Sequence, residues 1–153
     1  MENMTNIDKL KPYVDRAVDN FGIVLTEFGI VPEDHKLLKK NPEFNEKPNA
    51  VAICEECAVF VSKPMVSLPF HLVLASVAHE LAHIALNHVA GSNHKGEFEA
   101  DMTTLQILAF WKIPQRSLID LFKYMDLDNN FENRTHPSGV TRIEYLESLK
   151  GIS

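Results

Sequence analysis

One stretch constrains the fold of this chain more than any other. From Val66 to Val89 apolar residues dominate, yet His71, His79, Glu80, His83 and His88 interrupt them. Its longest run without an ionisable side chain, Leu72 to Ala78, falls far short of the ~20 apolar residues that a bilayer span needs. The reading is therefore a buried helix, from about Phe70 to Val89, that other elements must enclose.

With 153 residues, 45% of them hydrophobic, the chain has material for one core and one domain over 1–153. Residues 1–47 read as an N-terminal helix with a wrapping segment, and 48–153 as the remaining core. Fifteen basic against 21 acidic residues give a formal charge of -6. That balance argues against a nucleic-acid binder, which relies on a basic face. The N-terminal residues MENMTNIDKLKPYVDR lack the basic and apolar blocks of a secretory signal. The two cysteines, both in one CxxC, cannot staple a secreted fold. A cytoplasmic chain without a membrane span is the expectation.

Between Ile7 and Phe28 the apolar positions Leu10, Tyr13, Val14, Ala17, Val18, Phe21 and Leu25 recur at three- and four-residue spacing. This predicts an amphipathic helix, bent or ended near Gly22. Gly29 to Lys47 should carry a turn or two of helix and otherwise wrap the surface. The segments 49–54 and 58–62 read as a tight antiparallel hairpin. A second long helix is expected over Glu97 to Trp111, stopped by Pro114, and a third over Ser117 to Met125. A final helix opens at Pro137 and carries Ile143, Leu146 and Leu149 on one face. Together these predict an α+β domain, mainly helical, with a small sheet or hairpin beside the long buried helix.

His79-Glu80-Leu81-Ala82-His83 is an HExxH motif. On a helix the two histidines stand one turn apart on one face and can reach one zinc ion. Glu80 is splayed to the side, where it can take a proton from a water beside the metal. A catalytic zinc takes a third protein ligand. Glu97 and Asp101, four apart at the start of the next helix, supply a candidate: Glu97 as ligand, and Asp101 as the acceptor that fixes a ligand imidazole. Glu99 between them reads as a solvated residue.

With these residues in view, the sequence resembles the gluzincin metallopeptidases of the CAAX prenyl protease and HtpX-like group, and most of all their small soluble members, the minigluzincins. The similarity spans about Asn49 to Leu149. Four segments carry it: Asn49-Ala50, the HELAH motif, the EFEAD wording of Glu97 to Asp101, and Thr135-His136-Pro137 followed by Arg142-Ile143. The resemblance implies a zincin-type domain and a zinc endopeptidase acting on a peptide or protein substrate. It implies His136 as an oxyanion stabiliser, with Asn49 as a second donor. It also implies that Ala58, Val59, Phe60, Val61 and Ser62 form the upper rim of the cleft and pair with an extended substrate. Small soluble relatives can be held latent by a segment over the cleft, a role open here to Gly29–Lys47 or to the C-terminal tail.

Two other readings stay open. Small HExxH proteases that cleave repressors share this size and an acidic motif on the next helix, although the Thr135-His136-Pro137 segment favours the first group. A zinc-containing domain that binds peptides without turnover is the non-enzymatic alternative. Cys54 and Cys57 read equally as a reduced pair at a hairpin end, a small disulfide or a shared metal site, and oligomeric state is not legible.

Overall fold

The computed structural model describes residues 6–87, 94–125 and 139–149. Helix α1 (Asn6–Phe21) buries Leu10, Val14 and Ala17, the inner line of the predicted apolar stripe. It ends at Phe21, beside Gly22 as expected. Gly22 takes φ +64°, and the Ile23 N–H donates to the Val18 carbonyl at 3.0 Å, the bond that closes a glycine-terminated helix. Beyond this stop the chain extends and forms β1 (Glu27–Ile30), a strand that the expected helix to Phe28 and the wrapping segment did not contain.

Helix α2 (Lys36–Lys40) is capped by His35, whose Nδ1 accepts the Leu37 N–H at 3.0 Å. A 3-10 turn, Pro42–Glu46, then buries Phe44. Strands β2 (Ala50–Ile53) and β3 (Ala58–Val61) form the expected antiparallel hairpin, in register from Ala50 opposite Val61 to Ile53 opposite Ala58. β1 lies parallel to β3 on its other side, so the order is β1-β3-β2.

This order corrects the expected cleft rim. β3 is the central strand, bonded on both sides, and Ala58, Val59, Phe60, Val61 and Ser62 are all buried. None of them offers a free edge to a substrate. The Ser62 hydroxyl donates to the Lys47 carbonyl at 2.7 Å and accepts the Asn49 N–H at 2.9 Å, which fastens the entry to β2. Among the described residues, β2 is paired on one side only and presents an outer edge. Asn49 O accepts the Ser62 N–H at 2.8 Å, and antiparallel pairing alternates from there. Ala50 and Ala52 therefore point their backbone groups away from β3.

The two faces of the sheet have different neighbours. Val59 and Val61, with Ala50 and Ala52, join the main core with α1 and α3. Ala58 and Phe60 pack with Val31, Phe44, Leu37 and Leu38 in a second cluster. The apolar side chains of the 29–47 segment thus sit on the face of the sheet away from α3.

Helix α3 (Phe70–Ala85) starts after Pro69, whose carbonyl accepts the N–H groups of Leu72 and Val73. Leu72 to His79, Leu81, Ala82 and Ile84 are all buried, as the apolar run requires. The helix stops short of Val89, because Asn87 adopts φ +56°. α4 (His94–Phe110) packs along α3, and a left-handed Lys112 at φ +61° ends it. The indole N–H of Trp111 donates to the Tyr13 carbonyl at 2.9 Å and ties this end to α1. α5 (Arg116–Met125) and α6 (Gly139–Glu147) pack against each other. The fold is α+β: mainly helical, with one small mixed sheet. Among the described residues no helix is long and apolar enough to cross a membrane.

Candidate metal centre

Helical spacing brings His79 and His83 to one face of α3, and the same spacing brings Glu97 and Asp101 to one face of α4. Packing of α3 along α4 turns these faces toward each other. His83 Nε2 lies 3.1 Å from His79 Nε2 and 3.0 Å from Glu97 Oε2, and His79 Nε2 lies 3.2 Å from the same oxygen. Three ligand atoms therefore form a nearly equilateral triangle. Atoms bound at ~2.0–2.1 Å to a tetrahedral metal stand roughly 3.3–3.4 Å apart, so the triangle fits zinc with little adjustment. Two imidazole nitrogens and one carboxylate oxygen are also a donor set that suits this metal.

The cluster favours a positive charge at its centre. Burial alone would lower the pKa of His79, but the carboxylates of Asp101 and Glu97 more than offset it and push it up to about 9. Without a metal, His79 is the group that carries this charge.

A second ring of charge fixes the first. His79 Nδ1 approaches Asp101 Oδ1 at 3.2 Å, without the alignment of a full hydrogen bond. Asp101 also accepts two bonds from Arg142, from Nη2 at 2.7 Å and from Nε at 2.9 Å. Burial opposes the Asp101 charge, yet His79 and Arg142 hold its carboxyl below the usual range. Arg142 reaches in from α6, with its guanidinium over the Phe122 ring at 4.0 Å from the centroid. Its Nη2 also lies 3.5 Å from His79 Nε2 and 4.0 Å from Glu97 Oε2. This buried cation belongs to the site as much as Asp101 does. In the sequence Arg142 stands only as part of a motif match, and no local pattern marks it as a buried cation.

Glu80 points to the side of the triangle, toward the sheet. Burial raises its pKa, with Glu97 adding to the rise, while His79, His83 and a hydrogen bond to the Ala52 backbone draw it back down. The Ala52 N–H is one of the groups on the unpaired edge of β2. Glu80, the three-residue cluster and the strand edge thus meet in one place.

Other expected site residues fare differently. Asn49 is not presented as an oxyanion donor, because its amide donates to the carbonyls of Phe44 at 3.0 Å and Lys47 at 3.3 Å, holding the turn before β2. His136, with Thr135 and Pro137, lies outside the described residues. Glu99 is exposed, as expected of a solvated residue. Compared with protein-family models, curated proteins and solved structures, the chain matches none.

Proposed function

We infer that this chain is a zinc-dependent peptidase. The observation that carries the reading is the meeting of the His79–His83–Glu97 triangle, the Glu80 carboxylate and the outward backbone of β2. A bare structural cluster would have no need of a carboxylate set between its ligands and an open strand edge. The HELAH and EFEAD segments, through their resemblance to the gluzincins, support the same reading.

When bound, zinc supplies Lewis acidity to a carbonyl oxygen and makes water easier to deprotonate. The chain's own residues do the rest. Ala50, with its N–H and C=O, and the Ala52 carbonyl offer backbone groups to an extended peptide laid along β2, while the Ala52 N–H stays on Glu80. Glu80, its affinity for protons raised by burial, takes a proton from the attacking water and hands it to the departing amine. Asp101 and Arg142 keep the His79 ring in place. His136 completes the proposal as the donor to the developing oxyanion, a role drawn from the resemblance alone.

A second reading asks less of the site and is met by the described residues alone: a zinc-holding domain that binds a peptide on β2 without cleaving it. A repressor-cleaving HExxH protease would use the chemistry of the first reading on a different substrate. The experiment is to load the purified chain with zinc, measure metal content, and digest a mixed peptide library. Cleavage by the wild type, absent from Glu80→Gln and from chelated protein, supports the peptidase. Bound zinc and bound peptide with no cleavage would establish the second reading.

A further inference from the structure

The 3-10 turn Cys54–Glu56 joins β2 to β3 and is flanked by two free cysteines. Ile53 opposite Ala58 is the last pair of the ladder, so Cys54 and Cys57 are the next opposed positions. Cys54 packs against the main core that α3 helps to form, and Cys57 closes the same turn. The Cys57 N–H donates to the Cys54 carbonyl at 3.1 Å. A four-residue turn closed in this way holds its end Cα atoms within ~7 Å. Disulfides bridge Cα separations of ~4.4–6.8 Å, so the pair is spaced to close.

The rest of the turn is held rigidly from outside. The Thr26 N–H donates to the Cys57 carbonyl at 2.8 Å, and the Thr26 hydroxyl donates to the Glu56 carbonyl at 2.6 Å. The Glu56 carboxylate meets His35 Nε2 at 3.0 Å and Lys36 Nζ at 3.2 Å. Cys57 itself sits at φ +51°, a conformation that L side chains adopt only under constraint. With the backbone fixed, closing a bond between the sulfurs must move the sulfurs. One of them has a partner to lose: the Cys54 thiol donates to the carbonyl of His83, a metal-binding residue, at 3.8 Å.

We propose that Cys54 and Cys57 form a reversible thiol–disulfide couple that acts on the metal-binding end of α3. The oxidant is a small disulfide such as oxidised glutathione. One cysteine thiolate attacks it, forming a mixed disulfide and releasing one glutathione thiolate. The other cysteine thiolate then attacks the protein sulfur of that adduct and releases the second. The two protons lost by the protein end on the two departing thiols, and two electrons pass to the oxidant. In the closed form Cys54 no longer bonds the His83 carbonyl, which loosens the last turn of α3 and weakens the hold of His83 on metal. The couple itself needs no peptidase activity; only the zinc measurement rests on the metal cluster.

The test is to equilibrate the full chain in glutathione buffers of graded ratio, desalt it, and follow intact mass, peptide maps, amide exchange over residues 83–87, and zinc affinity. The expected result is an intrachain 54–57 link, reversed by reductant, with severalfold faster exchange in that segment and zinc binding weakened about tenfold. Cys54→Ser and Cys57→Ser should each stop at a mixed disulfide and form no 54–57 link. Stable mixed disulfides in the wild type, cross-linked dimers, or a 54–57 link that leaves exchange over 83–87 unchanged would overturn the proposal. If the reduced chain bound no zinc, the metal reading would fail, while thiol mapping and exchange would still decide the couple.

Discussion

Arg142 grips Asp101 with two charge-assisted hydrogen bonds, at 2.7 and 2.9 Å, from a helix far along the chain from the HExxH motif. Both side chains are buried, so neither charge can fall back on water. Arg142→Met would strand the Asp101 carboxylate and should destabilise the zinc-free fold by about 3–5 kcal/mol in urea denaturation. Asp101→Asn combined with Arg142→Met should cost less than the two single losses added together. Strict additivity would show that the pair is not coupled.

Glu80→Gln keeps the size of the side chain and all three metal ligands. It should bind zinc at the wild-type ratio while peptide cleavage falls by ~100-fold or more. His83→Ala should lose the metal. Wild-type cleavage by Glu80→Gln would remove Glu80 from the mechanism.

The metal-free protein should have a distinctive pH profile. His79 ordinarily titrates near 6.5 but is held protonated to about 9 here. Stability tied to that proton is complete below the lower value and is lost as pH rises through the upper one. In chelator, Tm should therefore fall between these two pH values, and saturating zinc should abolish that fall. An equal slope with and without zinc would count against a protonated His79 at the centre.

Ala52 tests the strand edge. Its N–H points away from β3 toward Glu80, so Ala52→Pro removes no bond from the hairpin ladder but takes that amide from Glu80 and places a ring on the edge where a peptide would lie. The expected outcome is a raised KM together with a lowered kcat, with zinc content unchanged. Unaltered kinetics would place the substrate elsewhere.

Gly22 sits at φ +64° with open space where a side chain would begin. Gly22→Ala should cost about 1 kcal/mol through backbone strain alone and leave zinc binding untouched. A neutral effect would mean that α1 can end by another route.

The metal ligands were legible because helical spacing is a local rule: His79 with His83, and Glu97 with Asp101, share faces wherever a helix forms. The β2–β3 hairpin was legible for the same reason. What local patterns do not carry is which strand lies in the middle. β1 has four residues, one of them Gly29, too few to show alternation, and its pairing with β3 joins segments about thirty residues apart. That strand covers the side of β3 that the hairpin alone would leave open, while β2 keeps its own outer edge, and apolar side chains of the 29–47 segment pack on the sheet. Arg142 was hidden differently. Its partner Asp101 lies 41 positions away, and nothing in the helix around it signals a buried cation.

Enclosure of α3 on nearly every side also limits where this protein can vary. Most of its residues serve packing, and three of them, His79, Glu80 and His83, stand at the candidate site, so substitutions there would damage both at once. New cleavage preferences are best sought along β2 and its flanking turns, where side chains can change without disturbing the helix. A mutational library aimed at altered specificity belongs at positions 50–57, and one aimed at α3 should return mostly unfolded chains.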